Sequence, residues 1–395
     1  MRGKIDYKTL FHFLQEIIDK MESINDAISR DPGNTFLNRL HRYLKELPVQ
    51  FYDSPPGWVR NVVLKIFQKV SSHGLVVEQF QQMINTVLVI IENDNEDNAI
   101  IALQILREPL QKNNYNATIL ASDRVEQLLR QQLEGFKRKY ERIFCSEPMQ
   151  TGGQAEQKME KARIKVASRD SFKIYNEIYL ITLIAMGLSQ GKRSMPNMIE
   201  IMPLIIDSLG LMPSKEAQAK HKDKFIDFLN AQNKMYNIIN WTLRSQAGPD
   251  FIQRFSTRIA DYSIEFLKNC PPDNSTIRKS FLIILRTMIS HFIDPYLNHF
   301  QDLLDYNLLV GDNNERQDLR VEASNIILNI AQLTKEKIDN NQKEMMIRDI
   351  LRMINDITIT ISIQGNAVLA LNKYIDIISK MPDCVIFESN IRLRY

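Results

Sequence analysis

Apolar positions recur at spacings of three and four along nearly the whole chain, the pattern of helices that each bury one face. From Asp6 onward, Leu10, Leu14, Ile17, Ile18, Met21, Ile24 and Ile28 draw one stripe, which Asp31-Pro32-Gly33-Asn34 stops. Phe36, Leu40, Tyr43, Leu44 and Leu47 draw a second, ended by Pro48. After the loop at 53–57, Val59, Val62, Val63, Ile66, Phe67 and Val70 form a third, and Val76 to Ile91 a fourth. The polar run Asn93 to Asn98 precedes a helix through Ile100 and Leu106 that Pro109 is expected to close. Val125 to Phe144 is a further amphipathic stretch. Stripes then resume over 171–189, 196–209, 216–246, 250–268, 275–292, 296–306, 315–337, 343–356 and 364–380.

Asp250 is placed to cap a helix beginning at Phe251, and Ser275 one running through Ile277 and Phe281. Ile357 to Ile363 alternates with period two and reads locally as a strand. A lone strand among helices has no pairing partner, so an extended link between helices is expected there. Residues 147–170 lack periodicity and carry Gly152-Gly153 among many charges. They read as a flexible linker or insertion dividing N-terminal helices (1–146) from a second helical segment (171–395). Breakers fall so that a two-helix unit occupies about 40 residues, the rhythm of HEAT and armadillo arrays. One such pair cannot bury its own stripe and must stack on its neighbours. The predicted fold class is all-α, a HEAT/armadillo-like α-solenoid of roughly fourteen helices, more than one compact core normally organises.

Composition narrows the function classes. With 50 Lys+Arg against 47 Asp+Glu the charge is nearly balanced, which excludes a nucleic-acid coat or an acidic tail. Only 13 Gly and 14 Pro argue against a turn-rich β fold. The three cysteines, Cys145, Cys270 and Cys384, stand far apart with no CxxC, so neither a disulfide framework nor a thiolate zinc site is expected. The longest apolar run, Ile178 to Leu188, is 11 residues, where a bilayer span needs about 20. The opening residues lack a secretory h-region, so a reducing, intracellular setting without membrane contact is expected.

The search for chemistry returns little. His12, His41, His73, His221, His291 and His299 never fall at i, i+4, and HExxH is absent. Gly187 to Lys192 has one residue too few for a phosphate loop and follows an apolar helix. Read as a calcium loop from Asp94, the acidic run puts Ala99 at the turn glycine and Ile105 at the bidentate glutamate; both fail. A solvated turn with Asp97 or Asn98 at a helix N-terminus is expected instead. No enzyme, cofactor, metal or small-molecule substrate is expected. Basic residues cluster at Lys161 to Arg169, at Lys192 and Arg193, and at Lys215, Lys220, Lys222 and Lys224. They suit either docking of acidic segments or plain solvated faces, since carboxylates interleave. Aromatic residues do not, so direct nucleic-acid binding is not expected. Trp58 and Trp241 read as core, and Arg278-Lys279 as a pair facing the inner surface of the array.

Several stretches are familiar: IENDNEDNAIIALQIL (91–106), MPLIIDSLGL (202–211), FIDFLNAQNKMYNIINWTLR (225–244), FLKNCPPDNSTIRKSFLIILRTMI (266–289) and DYNLLVG (305–311). In order and spacing the chain resembles the N-terminal HEAT region of the TRRAP-like transcription-associated scaffold family. The resemblance implies a nuclear, non-enzymatic solenoid of a histone acetyltransferase coactivator assembly such as SAGA. It implies protein partners, namely acetyltransferase complex subunits and acidic activation domains. Lys192, Arg193, Lys220, Lys222 and Lys224 are then the candidate docking positions. This sequence ends at Tyr395, short of the FAT and pseudokinase domains of that family, so what those domains carry, most contacts with assembly partners included, does not follow from the resemblance; a truncated copy, a split gene product and an incomplete gene model all stay open. A karyopherin-like nuclear transport receptor or another α-solenoid adaptor is the competing reading. A strongly acidic inner face for basic cargo would favour the transport receptor, and the balanced charge disfavours it.

Overall fold

A computed structural model describes residues 6–19, 35–47, 54–71, 77–111, 123–145, 171–188, 195–244, 248–313, 316–356 and 358–375. By internal contacts the chain divides into two compact units, Met1–Ile238 and Ile239–Tyr395. The expected linker at 147–170 lies outside the described residues.

The first unit is built from α1 (Tyr7–Asp19), α2 (Thr35–Glu46), α3 (Pro55–Ser71), α4 (Val77–Asn93), α5 (Glu96–Gln111), α6 (Asp123–Tyr140), α7 (Lys173–Leu188), α8 (Met195–Leu209) and α9 (Lys215–Lys220). The long α10 (Lys222–Leu243) follows, and the division between units falls inside it. Alternate helices stack on one another: α1 on α3, α3 on α5, and α5 on α7, while α2 and α4 lie against their sequence neighbours. Side chains joining α3 to α5 rise together, Asn61 with Asn98 and Gln68 with Gln104, so the stacked helices run parallel. The helix between each stacked pair supplies the return, as in repeat proteins whose units share one core.

The stripes read from sequence are the buried faces. Val59, Val62, Val63, Ile66 and Phe67 of α3 are each 1% exposed or less. Burying one such side chain contributes about 1.5–3 kcal/mol. A π-helical turn, Glu141–Cys145, continues α6 and turns Phe144 inward. There Phe136, Phe144 and Phe172 surround Phe228 at ring separations of 5.7, 5.6 and 5.1 Å. Offset and edge-to-face arrangements of this kind add to the burial of each ring.

The second unit continues with α11 (Gly248–Gln253), α12 (Ser256–Asn269), α13 (Ser275–His291), a 3₁₀ turn (Asp294–His299), α14 (Phe300–Leu304) and α15 (Tyr306–Val310). It ends, among the described residues, with α16 (Gln317–Thr334), α17 (Asn340–Asn355) and α18 (Ile361–Asn372). Here α13 stacks on α16 across the short elements between them, and α16 stacks on α18. Asp339 opens α17 with a capping box, its carboxylate accepting from the Gln342 backbone and the Gln342 side chain reaching back.

Several expectations are corrected. Helix α5 runs past Pro109 to Gln111. Asn274, not Ser275, caps α13, its side chain accepting from the Ile277 N–H; Ser275 is already helical. Asp250 lies within α11, because Pro249 suits a first helical turn and lets the helix begin at Gly248. The expected extended link at 357–363 is helical from Ile361 onward. Its buried positions, Ile359 and Ile363, continue into Ala367 and Leu371 at a spacing of four, whereas Ile361 is 86% exposed. Alternation over a short apolar run cannot separate period two from one stripe at spacing four.

Candidate docking surface

The predicted docking positions divide into those the structure describes and those it does not. Lys192 and Arg193 lie outside the described residues. Lys220 ends α9 and Lys222 begins α10, both exposed, with Lys224 half-buried two residues on in the same turn. The exposed carboxylates of Glu216 and Asp223 stand in the same helical turns, so the corner at His221 mixes both signs. The two tryptophans are not core residues: Trp58 is 47% and Trp241 41% exposed. Trp58 sits in the first turn of α3, where side chains lean past the helix end, and Trp241 lies 5.8 Å from the Arg244 guanidinium in the last turn of α10.

The polar run before α5 is a turn, but not a solvated one. Asp94 and Asn98 are fully buried, and so is Arg60 of α3. The Arg60 guanidinium donates to both Asp94 carboxylate oxygens, from Nε at 2.5 Å and from Nη2 at 2.8 Å. Asn98 Nδ2 bridges the pair to the Gly57 carbonyl, donating to that oxygen and to Asp94 Oδ2, each at 3.1 Å. Asn61 donates to Asn98 Oδ1 at 3.0 Å, and Asn95 Oδ1 accepts from the Asn98 N–H as the cap of α5. The Asp94 carboxylate is thereby held bidentately, and the Asn95 N–H and Asn98 Nδ2 fill its remaining lone pairs, the condition under which a buried ion pair is tolerated. It locks two stacked helices in register and offers no chemistry to solvent.

Arg278 departs from expectation in the same way. It is buried, and only Lys279 reaches outward. Its Nη2 donates to the Cys270 carbonyl at 2.7 Å and its Nη1 to the Leu308 carbonyl at 2.5 Å. The Pro272 carbonyl accepts from the Asp312 N–H and from Asn313 Nδ2. Two of the stretches quoted above, CPPDNSTIRK and DYNLLVG, are thus the two halves of one joint. Gly311 closes it at φ +65°, where a Cβ would come within 2.5 Å of the Pro272 oxygen and 3.0 Å of Arg278 Nε. Burial pushes the neighbouring Cys270 thiol up to about 11 despite the Arg278 charge.

A ladder of polar contacts joins α13, α16 and the residue that ends α17. Lys279 meets Asp318 at 3.0 Å, Arg286 meets Glu322 at 3.4 Å and Arg320 meets Asp356 at 2.6 Å. Hydrogen bonds from Arg316 and Lys279 hold the Asp318 carboxyl down at about 2. At Asp356 burial works upward, but hydrogen bonds from Thr358 and Arg320 outweigh it and leave the carboxyl below its ordinary value. Beside this ladder lies an open groove of about 300 Å³. Leu328 is its floor, Arg286, Thr287 and Ser290 of α13 one wall, and Asn366 of α18 the other. Asn325, Asn329 and Gln332 of α16 project into it. Among the described residues no group of three or more His, Cys, Asp or Glu is placed to hold a metal, and no helix is long and apolar enough to cross a membrane.

Comparison with known proteins follows the same lines. The family model of the Tra1 HEAT repeat central region matches residues 224–387. Probable transcription-associated protein 1 of Dictyostelium discoideum is 26% identical over 220 residues, 55% of this chain and 5% of that protein. The transformation/transcription domain-associated protein of Homo sapiens is 19% identical over 406 residues, 94% of this chain and 10% of its own length. The SAGA complex/NuA4 acetyltransferase complex subunit TRA1 of Saccharomyces cerevisiae is 22% identical over 420 residues, 91% of this chain and 11% of its own. No solved structure matches. Stacked parallel helices with a matching HEAT family model define the class: an all-α solenoid of the HEAT type. Within that class the chain is TRRAP-like, related to the Tra1 and TRRAP transcription-associated proteins over most of its length. The model that matches is that of the central region, which refines the N-terminal placement inferred from the motifs. The chain spans about a tenth or less of the length of these relatives.

Proposed function

We propose that this chain is a non-enzymatic scaffold segment of a nuclear histone acetyltransferase coactivator assembly, on which acidic activation domains of transcription factors dock. The observation that carries the reading is the relation to acetyltransferase complex subunits over 91% of the chain. The polar chemistry described above is consistent with it. The most deeply buried charges, those of Arg60, Asp94 and Arg278, are spent on holding helices together, and lysines are displayed outward at the α9–α10 corner. Lys220, Lys222 and Lys224, with Lys192 and Arg193, are the proposed rim that steers acidic-hydrophobic segments onto the array.

Affinity purification of the tagged chain from native extract tests the assembly reading. Acetyltransferase subunits should co-purify, and their absence at low and moderate salt overturns it. Docking is tested separately with a labelled acidic activation-domain peptide. Its association should slow several-fold as ionic strength rises from about 0.05 to 0.3 M. Lys220→Glu with Lys222→Glu should weaken it further, and binding indifferent to both salt and these changes removes the rim from the proposal.

A further inference from the structure

We infer that the helices on either side of residues 146–170 are held to one another by an aromatic joint, so that the chain stays associated and folded when it is cut within that stretch. Of the two readings of the stretch, a linker between separate parts or an insertion within one part, the flanks fit the second. The last described residues before it are the π-helical turn Glu141–Cys145, and the first after it are Ser171 and Phe172. The Phe144 and Phe172 rings stack at 5.9 Å with 7° between their planes. Phe136 of α6 meets Phe172 at 5.2 Å and Tyr175 of α7 at 4.9 Å, both edge to face. None of these four side chains is more than 9% exposed.

Polar contacts cross at the same place. Lys139 of α6 donates to the Ser171 carbonyl at 2.7 Å and lies 5.2 Å from the centre of the Tyr175 ring. Glu177, one turn further along α7, accepts from Arg107 at 2.6 Å and from Gln104 at 3.1 Å, both on α5. Ile174, Ile178 and Ile181 of α7 are each 2% exposed or less, and α7 stacks on α5.

A linker between independently folded parts leaves each flank in its own core, with few contacts crossing. Here the flanks share one. The burial and ring geometry that hold them do not require the backbone to run unbroken from Cys145 to Ser171. Continuity supplies local concentration instead, roughly millimolar for ends joined by a flexible connection. Cutting it turns an internal contact into an association between two polypeptides. The inference concerns how the chain is held together, and it stands whether or not the proposed assembly and activator contacts form.

The test places a site for a sequence-specific protease between Gly152 and Gly153 of the full chain and cuts the folded protein. At about 1 µM the fragments should co-elute at the size of the uncut chain. Folding is then bimolecular, and roughly a thousandfold in effective concentration is lost. The melting temperature should therefore fall by several degrees and rise again with protein concentration. Phe172→Leu keeps an apolar side chain but removes the stacked ring, and should weaken association of the cut protein about tenfold. Lys139→Met removes the bond to Ser171 and is read in its place if Phe172→Leu does not fold uncut. Separation of the fragments with an unchanged melting temperature would show two independent parts and overturn the inference. Loss of the helical circular-dichroism signal on cutting would overturn it too. So would a melting temperature indifferent to concentration, or association indifferent to both variants, which would put the hold elsewhere than at this joint.

Discussion

Arg60 and Asp94 stand 34 residues apart in sequence and share no solvent. Removing one partner strands the other as a buried charge, so Asp94→Ala should cost about 3–5 kcal/mol. Urea unfolding of the variant reads this directly. The double change Arg60→Met, Asp94→Leu should recover much of the loss, because neither desolvated charge then remains. Part of this pair was legible. Arg60 interrupts the apolar run W-V-R-N-V-V-L, where a solvated arginine has no place, but nothing in Asn-Asp-Asn-Glu-Asp names Asp94 as its partner. Cysteine chemistry follows the same logic of burial. Cys270 is 3% exposed with its thiol pushed up to about 11, whereas Cys145 is exposed. Alkylation of the native protein near pH 8, followed by peptide mass mapping, should therefore modify Cys145 and spare Cys270 until denaturant is added.

Between elements, the turn chemistry decides how one helix pair is passed to the next. Gly311 occupies backbone space that other residues adopt only under strain, and its missing side chain leaves room for Pro272 and Arg278. Gly311→Ala should destabilise the second unit by about 1–3 kcal/mol, seen as a lowered melting temperature with the helical circular-dichroism signal retained. The stripes themselves were readable because their period is local: α2, α3, α4 and α13 begin and end within a few residues of where the spacing puts them. Finer divisions were not readable. The breaks at His221 and at Arg254-Phe255 carry no proline or glycine, and the Asn274 cap differs from Ser275 only by which side chain meets the Ile277 N–H.

Across the molecule, carboxyls are shifted in both directions, and each acts on acid stability with its own sign. The Asp318 carboxyl lies near 2 in the folded chain against an ordinary 3.8, held down by Arg316 and then by Lys279. The stability it lends is fully present above about pH 4 and is lost as pH falls through about 2. Asp356, also lowered, acts in the same direction; Asp349, raised by burial, acts in the opposite one. Melting temperatures measured from pH 5 to pH 2 should fall more steeply for the wild type than for Asp318→Asn. Identical slopes would show that the exposed cluster contributes nothing measurable, as surface pairs often do.

The chain by itself determined that helices form and which face each one buries, since both follow from a periodicity that neighbouring residues set. It also determined the relation to transcription-associated HEAT proteins, carried by short runs in fixed order. Only the tertiary structure decided which charges are internal, that CPPDNSTIRK and DYNLLVG close on one arginine, and that both tryptophans face water. Those outcomes depend on contacts between residues tens of positions apart, and a one-dimensional pattern records spacing along the chain but not proximity across it.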